Sequence, residues 1–256
     1  MIEIGPNILI NEKVALLVVF LLFFVPAIPL LARSVRAGRI TALRPIAGFS
    51  ILRGLITQSL ETGRALHLSL GTQGVSDRNT AQTLAGLTTL RYLADQAAVY
   101  GATPIVTTAD ATAMIAAQDV LRNATEDRGT ADRFDPRDVR LIGPDPTAYA
   151  AGVMGILSRE EVLANVMVGA LGDEYLLMGE TAARKGVEQI VGTANPQTLP
   201  FMAVSAGQVL VGEEIFAAGA YLSGIPSHIA SLLVQDWMRI AIVVIIIVGV
   251  IWKTIG

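Results

Sequence analysis

The sequence predicts an α/β protein: a Rossmann-like, doubly wound, mostly parallel sheet of about five strands, flanked by an N-terminal and a C-terminal transmembrane helix. Three observations predict it. Short Val-, Ile- and Leu-rich runs without period-two alternation recur between longer helical stretches, the pattern of parallel strands covered on both faces. Four of these runs close on a glycine, in "SLGT", "LIGP", "MVGA" and "IVGT". Hydrophobic residues make up 52% and charged residues 16% of the 256, too apolar for a wholly water-exposed chain, and the excess lies at the two ends.

Residues 1–13 are expected to be an external tail. Glu3 and Glu12 stand where a cleaved leader would carry basic residues. Residues 14–32, "VALLVVFLLFFVPAIPLLA", form an uncharged run of 19, near the length that crosses hydrocarbon. Pro26 and Pro29 are kinks that membrane helices tolerate. Arg33, Arg36, Arg39 and Arg44 follow. Positive charge stays cytoplasmic, so the N-terminus is expected outside and the centre of the chain inside. Within residues 33–63 this basic stretch leads into an amphipathic helix, with Ile46, Phe49, Leu52, Leu55 and Ile56 at helical spacing. Two readings fit that helix: an anchor lying in the membrane interface, or a cover for one face of the neighbouring domain.

Residues 64–226 carry the alternation and are expected to form the cytoplasmic domain. Strand "LHLSL" precedes a helix over about residues 79–100, "PIVTTA" one over 111–123, "VRLIG" one over 146–157 and "ANVMVG" one over 174–185. Strand "VEQIVG" then runs into a loop, "TANPQTLPFMAVSAG". The segments "GDEYLLMGETAARKG" and "GEEIFAAGAYLSG" echo each other, as two helices entered in the same way would. Residues 227–255 are expected to form one long helix that contains the second span and holds the domain rigidly against the bilayer. Trp237 and Trp252 bracket the span as an aromatic belt would, and Arg239 and Lys253 lie near its ends, where long side chains reach the headgroups. The C-terminus then returns outside, and both outer tails are short.

The chemistry turns on "HLSLGTQGVSD", a strand running into two glycines. "GTQGVS" lacks the third glycine of a dinucleotide fingerprint, and none of the three lysines, Lys13, Lys185 and Lys253, follows a strand-end glycine as a Walker loop requires. Gly71, Gly143, Gly169 and Gly192 recur at four strand ends, so turn geometry explains them as a group: φ > 0 or a close backbone passage. Asp77, Asp110, Asp145, Asp173 and Glu174 cluster at the same turns and suit helix caps, Asp145-Pro146 most clearly. Ligands of open α/β sheets nevertheless bind outside the carboxyl ends of the strands. A ligand site is therefore expected, if anywhere, among Gly71, Thr72, Gly74, Asp110, Asp145, Asp173, Glu174, Thr193 and Asn195. A divalent cation held by these acids is the alternative to capping.

No catalytic residue, metal site or cofactor is assigned. His67 and His228 lack triad or zinc partners and read as structural, and the absence of cysteine excludes disulfides, thiolate metal sites and cysteine nucleophiles. A net charge of −3 gives no reason to expect nucleic acid.

At "GRITALRPIAGFSILRGLITQSLETGR", "ANVMVGALGDEYLLMGE", "VGTANPQTLP", "GEEIFAAGAYLSG" and "SLLVQDWMR" the chain resembles a bacterial family of membrane proteins known only as a domain of unknown function. The resemblance spans nearly the whole chain and implies the order span, cytoplasmic domain, span. It carries no activity, so no functional residue transfers. The expectation is a multi-pass protein of the bacterial inner membrane, leaning to a non-enzymatic scaffold or assembly subunit. Its expected partners are the lipid bilayer, further copies of itself, or other membrane subunits. Two alternatives stand beside it: a membrane-tethered nucleotide or metabolite sensor or enzyme using the strand-end crevice, and an accessory subunit of a larger membrane complex.

Overall fold

The computed structural model describes residues 2–3, 9–10, 12–38, 44–100 and 102–255. Most of the expected tail over residues 1–13, Arg39 and several side chains of the expected first span lie outside the described residues. The chain forms two compact units: residues 1–44 with 224–256, and residues 45–223.

The larger unit holds a six-stranded sheet. Its strands are β1 Ala65–Gly71, β2 Ile105–Thr108, β3 Val139–Leu141, β4 Val162–Ala170, β5 Glu188–Thr193 and β6 Gln208–Val211. The spatial order is β3-β2-β1-β4-β5-β6, and every pairing is parallel. This is the order of a doubly wound dinucleotide-binding fold, with its topological switch between β1 and β4. Parallel neighbours need a crossover, which is why a helix follows each strand. The crossovers are α3 Thr80–Val99, α4 Ala111–Asp127, α5 Pro146–Arg159, α6 Tyr175–Arg184 and α7 Leu199–Ser205. All nine residues of β4 are buried, as befits a strand covered on both faces.

Helices α3 and α4 pack together on one face, where Gly86 of α3 lies against the Val168 carbonyl and Leu70. Helices α5 and α6 cover the other. There Tyr149, Val153, Leu157, Met167, Tyr175, Met178, Val191 and Met202 form one buried core. Each fully buried apolar side chain of this size contributes about 1.5–3 kcal/mol relative to exposure.

Helix α2, Ala47–Thr62, belongs to this unit. It buries Phe49, Leu52, Leu55 and Ile56 and packs on α3, β1, β4 and β6. Of its two sequence readings, the cover for a sheet face is the one the fold realises.

The count of about five strands is corrected to six. The sixth, "QVLV", is a four-residue edge strand, and the segment read as a loop contains the seven-residue α7. Both are too short for periodicity to reveal, and Pro and Asn punctuation masks them. The echoed segments also part company. The first becomes α6, while the second becomes a 3₁₀ turn, Gly212–Ala217, followed by a four-residue helix, α8 Ala218–Tyr221. One device is shared: Glu174 Oε1 accepts from Gly172 N–H at 2.8 Å, and Glu214 Oε2 from Val211 N–H at 2.9 Å.

In the smaller unit, α1 Glu12–Arg36 and α9 Pro226–Ile255 pack along each other. Helix α9 is unbroken over its 30 residues and starts beyond Gly224, at φ +63°. Within it, residues Pro226–Thr254 are long and apolar enough to cross a membrane: an 18-residue window there has mean hydropathy 2.2 and is 6% buried. It is the single such candidate found among the described residues.

Candidate functional site

The carboxyl ends of β1, β4 and β5 frame a cleft of about 360 Å³ at the topological switch. Its walls are Thr72, Gln73, Asn79 and Gln82 from the β1–α3 segment, Ala170, Leu171, Gly172 and Glu174 after β4, and Ala194 and Asn195 after β5.

Two glycines set the floor. Gly71 has φ +84°, and a Cβ there would lie 2.3 Å from Ala170 O. Gly169 has an ordinary φ, yet its Cβ would lie 2.1 Å from Leu70 O. Between Ser69 and Gly71 the β1–β4 register shifts from Ser69↔Met167 to Gly71↔Ala170, an irregularity that interrupts the ladder at the cleft. The four strand-end glycines therefore divide. Gly71 meets the positive-φ expectation, Gly169 is a close backbone passage, and Gly192 packs instead on the side chains of Ile215 and Leu210. Gly143 is none of these, its nearest atom being Ala148 Cβ at an ordinary 3.7 Å.

Five N–H groups of the β1–α3 turn have acceptors within the protein. Thr72 donates to Ala170 O at 3.1 Å, Gly74 to Asp77 Oδ2 at 2.9 Å and Val75 to Thr112 Oγ1 at 3.0 Å. Asp77 donates to Thr80 Oγ1 at 3.1 Å and Asn79 to Asp77 Oδ1 at 2.8 Å. A phosphate cradle needs such N–H groups free and aimed outward. This turn directs them inward to hold its own shape.

Of the nine residues the sequence proposes, Thr72, Glu174 and Asn195 line the cleft, and Gly71 shapes it from beneath. Thr193 is fully buried behind the wall, donating to Gln82 Oε1 at 3.0 Å. Gly74 packs on Asp110 and Thr112 outside the lining. Asp110 caps α4 by accepting from Thr112 N–H at 2.8 Å and Ala113 N–H at 3.2 Å. The Thr112 hydroxyl, which also donates to it, and those N–H bonds hold its carboxyl below the usual range. Asp145 caps α5 beyond the edge strand β3, accepting from Ala148 N–H at 2.9 Å. Asp173 is exposed and caps nothing among the described residues. The acids are dispersed over separate turns, and no group of three or more metal-ligating side chains forms among the described residues. Replacing Asp145 by Ala should cost about 1 kcal/mol by urea unfolding, and Asp173→Ala nothing measurable.

Sequence reasoning missed Gln73, Asn79 and Gln82. Gln82 is the one with a signal, an amide in the first turn of α3 on the face that turns inward. Its Oε1 accepts from Thr193 Oγ1 and, at 2.9 Å, from Ala194 N–H, and its Nε2 donates to Asn79 Oδ1 at 3.2 Å, tying the β1–α3 segment to the end of β5.

Beneath the cleft runs a fully buried polar chain. His67 stands third in β1 with no exposed surface. Its Nδ1 donates to Asn165 Oδ1 at 2.7 Å, which leaves Nε2 to accept from the Thr107 hydroxyl at 3.0 Å. Tyr149 Oη lies 3.0 Å from Thr107 Oγ1 and 2.6 Å from Ser69 Oγ, and Ser69 Oγ accepts from Gly71 N–H at 3.3 Å. Burial drives the His67 imidazole down to about 4; the Asn165 bond opposes that and Arg140 adds to it. Burial likewise pushes the Tyr149 hydroxyl up to about 12. The histidine is thus a neutral strut across β1, β2 and β4 that reaches, through Ser69, the turn glycine. Among the described residues Asn165 Nδ2 finds no partner.

One family description, "Domain of unknown function", DUF6754, matches residues 6–256. No curated protein and no solved structure matches the chain.

Proposed function

We propose, from the premise that the chain belongs to this family of unknown function, that it is a two-span membrane protein displaying a Rossmann-like body on the cytoplasmic side of a bacterial inner membrane. There it serves as a scaffold or assembly subunit, joined to further copies of itself. The observation that carries this reading is α9, which holds an apolar 18-residue window that is almost unburied. Water would not tolerate that surface, and a bilayer would. In α1 the described side chains of Leu17, Leu21, Leu22, Phe23, Val25 and Leu30 are also exposed, which supports a second span beside it. Arg33 and Arg36 at its end, with Arg39 and Arg44 after it, support the inward orientation of the body, with both termini outside.

The chain has no cysteine, so single-cysteine variants report topology cleanly. In intact cells an impermeant maleimide should label Asn7→Cys and Gly256→Cys, and should reach Ser76→Cys only after lysis. Labelling of Ser76→Cys from outside would overturn the orientation. Extraction of the chain by alkaline carbonate would overturn membrane insertion. A detergent-solubilised particle with the mass of one chain would overturn self-assembly.

A second reading is favoured by the cleft itself. A polar cavity at the topological switch is where sheets of this order take small molecules, which supports a membrane-tethered sensor.

A further inference from the structure

We infer that the cleft at the β1–β4 switch takes an uncharged, hydroxyl-rich ring, that of a nucleoside or a sugar, and selects against its phosphate esters. The inference rests on the sensor reading and names its ligand class.

Three features of the cleft carry it. First, five N–H groups of the turn, those of Thr72, Gly74, Val75, Asp77 and Asn79, donate to Ala170 O, Asp77, Thr112 and Thr80 and so are not offered to a phosphate. The same holds across the cleft, where Gly172 N–H donates to Glu174 Oε1 and Ala194 N–H to Gln82 Oε1. Second, Glu174 is the single ionisable residue among the described residues of the lining, so a polyanion would meet a carboxylate and no cation. Third, the side-chain groups of the lining left without a protein partner among the described residues are the Gln73 amide, Asn79 Nδ2 and Glu174 Oε2. That set offers an amide able to give and receive, one further donor and a charged acceptor. Vicinal hydroxyls both donate and accept, so they match such a set, and a carboxylate accepting from a ring hydroxyl forms a charge-assisted bond. A cleft of about 360 Å³ is of the size that encloses one such ring system.

The test is isothermal titration of the full-length chain in detergent with adenosine, glucose, AMP and glucose 6-phosphate. We expect a neutral probe to bind at least about tenfold more tightly than its own phosphate ester. Glu174→Gln or Gln73→Ala should weaken that binding by about tenfold. Gln73→Ala keeps the test decisive should Glu174→Gln unfold, because the Gln73 side chain holds no described residue. The adenosine and glucose arms separate a nucleoside from a free sugar. If a phosphate ester binds as tightly as its parent or better, and Gln73→Ala weakens it, the ligand class is wrong and the sensor reading stands. If no probe binds, or if binding ignores both substitutions, both fall.

Discussion

Acidification from about pH 6.5 to pH 4 is expected to remove about 3 kcal/mol of stability from the α/β body through His67 alone. The folded imidazole titrates near 4 because it is fully buried, whereas the unfolded one titrates near 6.5. Between those values the unfolded chain binds the proton and the folded chain does not. The stability is therefore complete above pH 6.5 and drains away as the pH falls toward 4. Protonation would place a hydrogen on Nε2, against the Thr107 hydroxyl that donates there, so the chain of bonds toward Tyr149 and Ser69 must reverse or break. Carboxylates titrate in the same range, so the measurement is a comparison. Denaturant midpoints of wild type and His67→Gln are followed from pH 7.5 to pH 4, and the difference between them isolates one proton. Parallel pH profiles for the two proteins would show that His67 is not the neutral strut described.

The second large effect belongs to Gly169. A methyl group there would meet the Leu70 carbonyl at 2.1 Å, backbone against backbone at the centre of the sheet. Neither strand can yield without breaking the β1–β4 ladder, so Gly169→Ala should cost about 3 kcal/mol or more, the upper range of overpacking. Gly143→Ala is the matched control: it also ends a strand, but its new methyl would rest at 3.7 Å from Ala148 Cβ. Its cost should stay within about 0.5 kcal/mol. Equal costs at the two positions would mean that the close passage between β1 and β4 is not what requires glycine.

These two positions mark where the sequence is legible and where it is not. The strand-end glycines are visible in "SLGT" and "MVGA", and so is their likeness to one another. What separates Gly169 from Gly143 is a neighbour nearly a hundred residues away in the chain, which no local pattern carries. His67 likewise reads as structural from its lack of nearby partners. Its actual partners, Asn165 and Thr107, come from two other strands, and only the sheet order brings them to its ring. The acids show the same division. Asp145 before Pro146 declares a cap locally, whereas Asp77 and Glu174 sit at the same kind of turn and secure loops instead.

The cleft was legible in position but not in membership. Thr72, Glu174 and Asn195 follow from the rule that ligands meet the carboxyl ends of strands. Asp110 and Asp145 fail it because β2 and β3 lie on one side of the switch, and their acids turn to the helices that follow them. Gln82 was missed because it does its work from the first turn of a helix, across the cleft from the strand end it holds.

By itself the sequence determined the α/β class, the parallel strands, the basic stretch beside an apolar run and the caps of α4 and α5. All of these depend on residues within a few positions of one another, where spacing and side-chain type suffice. The tertiary structure alone decided the strand order, the sixth strand, the fate of each turn N–H group and the buried path from Asn165 to Gly71. Each of these depends on which segments become neighbours, and packing settles that by summing over the whole chain at once.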